Sequence, residues 1–233
     1  MNGFKKKEHV IMNILQQAFL PMIIYYMINN AFVLGSLSVL QLIKEGRWEA
    51  VWTESFAFYA ETGIKMAGMV LGGLSVISYY RREKLQLERK SLARKEGAIL
   101  IVEGAILSIG FNYVFFITGF MQSSERYQQV AEVQFALPLW LACIFYGVLS
   151  PIVEEIVFRG IVCNALIRNG SQRVGIIGSA LLFGAFHGNM VQMVYASLMG
   201  VILAWIYCKY RNLSAPVLFH GAANVAIYLV TYL

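Results

Sequence analysis

Long apolar runs separated by short polar stretches recur along the whole chain, and no other feature restricts its fold as strongly. Candidate membrane-crossing segments lie at 10–40, 60–80, 98–120, 135–168, 173–188, 190–208 and 213–232. About twenty apolar residues cross the hydrocarbon core as a helix. Lipid offers no partner to a backbone N–H or C=O, so each group must be satisfied inside its own segment. A membrane β-barrel would show roughly ten-residue alternating segments, and these runs are longer and do not alternate. Composition agrees: 58% of residues are hydrophobic and 14% charged, against about 25% charged in soluble domains. The expected fold is all-α, a polytopic transmembrane helical bundle of about seven to eight membrane helices. Residues 1–134 are expected to supply about three spans, with 135–233 completing a single integral membrane unit.

Two segments are overlong. The first begins after Lys5, Lys6 and Lys7 and carries Gln16 and Gln17. It runs to about Leu40 without a small-residue cleavage site, which predicts a retained span rather than a leader. The fourth contains Pro151, which removes a backbone hydrogen bond and predicts a kink or a split into two pieces. The 173–188 segment is short for a full crossing.

Basic residues alternate between connections. Arg81, Arg82, Lys84, Arg89, Lys90, Arg94 and Lys95 crowd the 81–97 stretch, Arg168 and Arg173 flank a later turn, and Lys209 and Arg211 flank another. Elsewhere Lys44 and Arg47 are offset by Glu45 and Glu49, and Arg126 stands alone. Seven spans with a cytoplasmic N-terminus would satisfy the positive-inside rule, in a cell membrane of bacterial plasma-membrane type. The 81–97 stretch is expected to be a cytoplasmic amphipathic helix on the lipid surface or a solvated loop. The net charge of +6 is explained by these flanks and by anionic headgroups, so no nucleic-acid partner is expected. Cys143, Cys163 and Cys208 lack metal spacing and are expected to be small apolar fillers. Gly68/Gly72 and Gly184/Gly188 have the spacing of close helix contacts.

Ionisable groups inside a membrane mark function by default, and here they concentrate in the C-terminal half. Glu154 and Glu155 project about 100° apart on a helix. Glu155 and Arg159, four apart, can form an ion pair, which leaves Glu154 to face a cavity. His187 ends a Phe183-Gly184-Ala185-Phe186-His187 stretch, and His220 and Asn224 share one helical face. Glu154 and His187 each lie fourteen residues from a basic flank, roughly 21 Å along a helix, and His220 and Asn224 roughly 13–20 Å from Arg211. Three helices therefore carry polar groups to a similar depth. A carboxylate in a low-dielectric cavity is a general base for water, a histidine beside it can share the proton, and a second histidine with an amide can stabilise an oxyanion. That set suits hydrolysis of a peptide bond. No serine or cysteine stands in an obvious nucleophile context, which disfavours a covalent route. No cofactor is expected. Zinc bound by two histidines and a carboxylate on separate helices is the minority alternative.

At these residues the chain resembles the CPBP family of CAAX prenyl endopeptidases of type II and bacteriocin-processing membrane peptidases. The family pattern is EExxxR, FxxxH and HxxxN, here Glu154-Glu155…Arg159, Phe183…His187 and His220…Asn224. The likeness covers about 135–232. It implies a glutamate-dependent, metal-free endopeptidase, with Glu154 as base, His187 beside the water, His220 and Asn224 at the oxyanion, and Glu155 and Arg159 as structural support. A peptide or membrane-protein substrate in the bilayer is implied. Prenyl recognition is not carried over. Two other classes stay open: a non-proteolytic membrane scaffold or bacteriocin immunity protein, and a transporter with a midplane polar site.

Overall fold

A computed structural model describes residues 2–45, 53–83 and 91–232. Among them there are eight helices and no strand. They are α1 (Glu8–Lys44, continuous back to Asn2), α2 (Glu54–Glu83), α3 (Arg94–Ile117), α4 (Glu125–Phe135), α5 (Leu139–Asn169), α6 (Gln172–Ala185), α7 (Met190–Tyr210) and α8 (Ser214–Tyr232). Six are long and apolar enough to cross a membrane, and α6, with 14 residues, is the short one. The protein is a multi-pass, all-α membrane protein. Large apolar side chains such as Leu34, Leu42 and Ile106 face outward, as lipid contact allows.

Helix α5 is the centre of the bundle. It touches α8, α2 and α6, while α8 packs along α3, α6 along α7, and α1 along α2. Side-chain size explains the tightest of these contacts. A Cβ on Gly104 of α3 would run into the Phe219 backbone of α8, and one on Gly221 of α8 would run into the Gly147 carbonyl of α5. Glycine at both positions brings α8 close to its neighbours on two sides. Gly68 and Gly72 of α2 meet Asn29 and Tyr25 of α1, as their spacing predicts, and Gly184 of α6 meets Ser197 and Met193 of α7. Gly188 does not pack a helix: it lies beyond the end of α6 with φ +74°.

The Pro151 segment stays one element. It is not split into two pieces, and its irregularity takes the form of a π-helical turn at Phe145–Leu149, in which the Ser150 N–H reaches back five residues to Phe145 O. α-Helix resumes at Ser150–Glu155, with Pro151 in its first turn, where a missing N–H costs least. A second π-helical stretch follows at Ile156–Cys163.

Of the 81–97 stretch, Arg81–Glu83 close α2, 91–93 are not helical, and α3 starts at Arg94. This part is not one surface helix. Lys84, Arg89 and Lys90 lie outside the described residues, as do Arg47 and Glu49. The thiols are free, and Cys163 is buried. They are not all isolated, because Cys163 and Cys208 pack in one cluster with Ala204 and Tyr207.

The sequence reading had no helix between the third and fourth spans. Its place is taken by α4, which carries the polar sequence ERYQQVAEVQF. Ser124 caps α4, its hydroxyl accepting the Tyr127 N–H at 3.2 Å. Tyr127, Val130, Ala131 and Gln134 then line one face.

Candidate active site

All four residues singled out for chemistry line one cavity of about 340 Å³, bounded by α2, α3, α4, α5, α7 and α8 and by the turn after α6. Glu154 is the middle residue of the 31-residue α5, so the polar cluster sits at mid-bundle. Apolar side chains, among them Phe145, Phe183, Val191 and Met199, form much of the wall.

Glu154 has a polar neighbour at each oxygen. The Ser150 hydroxyl, one turn earlier, donates to Oε1, and Oε2 lies 3.8 Å from His220 Nε2. Ser150 was passed over in the sequence because a helical serine ordinarily bonds its own backbone. Its spacing of four from Glu154 was the available signal. The Tyr146 carbonyl, four residues before Ser150, is taken by Asn224.

Glu155 faces away from the cavity and is fully buried. Its Oε2 lies 3.1 Å from Arg159 Nε, and both side chains have 0% exposure. This is the predicted (i, i+4) pair. It is a contact of charges without hydrogen-bond alignment, because Glu155 Oε2, Arg159 Nε and Arg159 Nη1 have no hydrogen-bond partner in the structure. Arg159 donates through Nη2 to Gly200 O at 3.3 Å and lies over the Phe183 ring at 4.5 Å.

Glu155 also has a second partner, which the sequence did not reveal. His220 Nδ1 sits 3.0 Å from Glu155 Oε1. With a carboxylate as acceptor, Nδ1 must carry the hydrogen. His220 is thus fixed between the two glutamates, with Nε2 toward Glu154. As a neutral ring it presents a lone pair there, and as an imidazolium it presents an N–H.

His187 lies two residues past the end of α6. Its Nδ1 is 2.8 Å from Phe183 O and donates to that carbonyl, leaving Nε2 as the acceptor. The turn is closed by Gly188 at positive φ and by Asn189, which caps α7 by accepting the Gln192 N–H at 2.9 Å. The Phe183 ring stands edge-on to both histidines, with centroids 4.9 Å from His187 and 5.7 Å from His220.

Asn224 is anchored by the π turn. Its Nδ2 donates to Tyr146 O at 2.9 Å. In a regular α-helix that carbonyl would accept from Ser150, whose N–H is instead given to Phe145. In a π turn it would accept from position 151, which is proline and has no N–H. Both backbone donors are therefore withdrawn, and the side chain of α8 takes their place. One amide hydrogen of Asn224 remains for the cavity.

Tyr127, Tyr195, Asn112, Gln134 and Gln192 add neutral polar groups to the wall. The sequence reading named none of these five. Burial pushes the Tyr127 phenol above its ordinary value, so it stays a neutral donor, here toward Met121 Sδ at 3.7 Å. Among the described residues no group of three or more His, Cys, Asp or Glu side chains is arranged to hold a metal ion. Both histidines donate through Nδ1, His187 to Phe183 O and His220 to Glu155 Oε1, which leaves each Nε2 directed at the cavity.

Residues 136–226 match the family described as Type II CAAX prenyl endopeptidase Rce1-like. A curated relative named "Putative membrane peptidase YdiL", from Bacillus subtilis (strain 168), is 26% identical over 116 residues. That segment is 50% of this chain and 47% of the relative, so the likeness spans about half of each. No solved structure matches the chain. The family match falls on the segment that holds the three motifs.

Proposed function

We propose that this protein is a membrane-embedded endopeptidase that hydrolyses a peptide bond with water activated by Glu154, without a metal. The observation that carries the reading is the convergence of Glu154, His187, His220 and Asn224 on one largely apolar cavity at mid-bundle. The Rce1-like match and the name of the relative support the same class of activity.

Glu154 takes a proton from water, and the hydroxide adds to the scissile carbonyl carbon. His187 Nε2 accepts the water's other hydrogen and fixes its direction. The carbonyl oxygen becomes an oxyanion, which the free Asn224 N–H and the Nε2–H of a protonated His220 stabilise. The Glu155–Arg159 pair behind the ring supplies the Nδ1 acceptor that such an imidazolium needs. Glu154 then returns its proton to the departing amine as the C–N bond breaks, leaving a carboxyl and an amino terminus. The apolar wall excludes bulk water and strengthens each of these interactions. The substrate is a peptide or a membrane-associated polypeptide.

The test is cleavage of reporter peptides by purified protein in lipid vesicles. Glu154→Gln is expected to lower cleavage by about 10²–10⁴-fold while the protein still inserts and folds. Full activity in that variant refutes the mechanism. A cellular phenotype that survives both Glu154→Gln and His220→Ala assigns the protein to a non-proteolytic scaffold instead.

A further inference from the structure

The cavity is not symmetric about the membrane midplane. From Glu154 it extends toward one end of the bundle. Asn112 lies in the last two turns of α3, Gln192 and Tyr195 in the first two turns of α7, and His187 beyond the end of α6. The outer wall comes from the 118–138 connection, through Met121 and the inner face of α4. Residues near the opposite ends of these helices do not line it.

Charge separates the same two ends. Arg81, Arg94, Lys95, Arg168, Arg173, Lys209 and Arg211 close the helices at the end away from the cavity mouth, with Glu8, Glu83 and Glu96 against them among the described residues. The start of α1 belongs to this basic end, since Gln17 Oε1 accepts from Asn169 Nδ2 at 3.0 Å. At the mouth end the described charges are Lys44 and Arg126 against Glu45, Glu54, Glu125 and Glu132. Lys and Arg in short connections are retained in the cytoplasm, so the basic end is the cytoplasmic one.

We infer that the cavity opens at the extracytoplasmic face, and that its substrate is a polypeptide segment presented on that side rather than a chain end delivered from the cytosol. This rests on the peptidase reading above. The mouth is chemically suited to an extended backbone: Asn112, Gln134 and Gln192 offer amide donors and acceptors, Tyr127 and Tyr195 offer hydroxyls, and no lysine or arginine lines the cavity. Exported peptides and the outer segments of membrane proteins are the class that reaches such an opening.

The experiment places single cysteines in a variant whose native Cys143, Cys163 and Cys208 are replaced by alanine. Gln134→Cys probes the mouth, exposed Gln129→Cys the outer surface of α4, and exposed Arg173→Cys the basic end. Intact cells are treated with a membrane-impermeant maleimide, and permeabilised membranes give the full signal. The expected result is labelling of Gln134→Cys and Gln129→Cys at least tenfold faster than Arg173→Cys in intact cells. Faster or equal labelling of Arg173→Cys, or a Gln134→Cys silent until permeabilisation, overturns the inference. A second arm anchors one reporter peptide outside and the same peptide inside. Cleavage of the inner one alone also overturns it. Labelling from outside with neither peptide cleaved leaves the direction of opening intact and counts against the peptidase reading.

Discussion

The two adjacent glutamates should respond oppositely to the same mild change. Glu155→Gln removes a charge that lies 3.1 Å from Arg159 and 3.0 Å from His220, with Glu155 and Arg159 fully buried. Breaking a buried pair by removing one partner costs about 3–5 kcal/mol, because the remaining charge is left uncompensated. Arg159 has little to fall back on: its other contacts are one 3.3 Å bond to Gly200 O and the Phe183 ring. At about 2–4 °C per kcal/mol for a chain of this size, the melting temperature should fall by about 6–20 °C. Glu154→Gln keeps an acceptor for Ser150 and strands no buried cation, so its stability cost is about 1 kcal/mol. It should still lose about 10²–10⁴-fold in turnover, the contribution of a general base. The assay is paired: thermal unfolding in detergent by tryptophan fluorescence, and single-turnover cleavage in vesicles. A Glu155→Gln protein as stable as wild type refutes the reasoning, as does a Glu154→Gln protein that unfolds first.

Ser150→Ala removes one hydrogen bond to Glu154, worth about 1 kcal/mol, and turnover should stay within about tenfold of wild type. A loss beyond about 10³-fold would instead mark Ser150 as a covalent nucleophile. Pro151→Ala restores an N–H that competes with Asn224 for Tyr146 O, so kcat should fall several-fold with KM unchanged. The decrement should vanish in an Asn224→Ala background, and a full decrement there refutes the anchoring role. Gly104→Val forces α3 off the Phe219 backbone and should destabilise by about 1–3 kcal/mol, read as a lower melting temperature. Treatment with 1,10-phenanthroline should leave cleavage unchanged, and loss of activity restored by added zinc would overturn the metal-free reading.

Much of the architecture was legible because the bilayer imposes it locally. The first, second, third, sixth and seventh apolar runs became helices near their expected bounds, since backbone hydrogen bonds inside lipid must close within each segment. Glu154, His187, His220 and Asn224 stood out because polar side chains are rare against such a background. The amphipathic helix α4 was missed because it lies outside the apolar runs and its face repeats only twice. The Ser124 cap and the Tyr127, Val130, Ala131, Gln134 spacing were the signal.

The sequence by itself determined the membrane setting, the helical class, the order of the spans and the four polar residues that line the cavity. These depend on hydropathy and on separations of three or four along one helix, both local quantities. Only the tertiary structure decided that His220 sits between the two glutamates, bonded to Glu155 and 3.8 Å from Glu154, that Asn224 occupies a carbonyl freed by a π turn and a proline, and that the cavity leans toward the less basic end. Each joins residues on different helices, and contact between helices is set by how closely glycines such as Gly104 and Gly221 let their backbones approach.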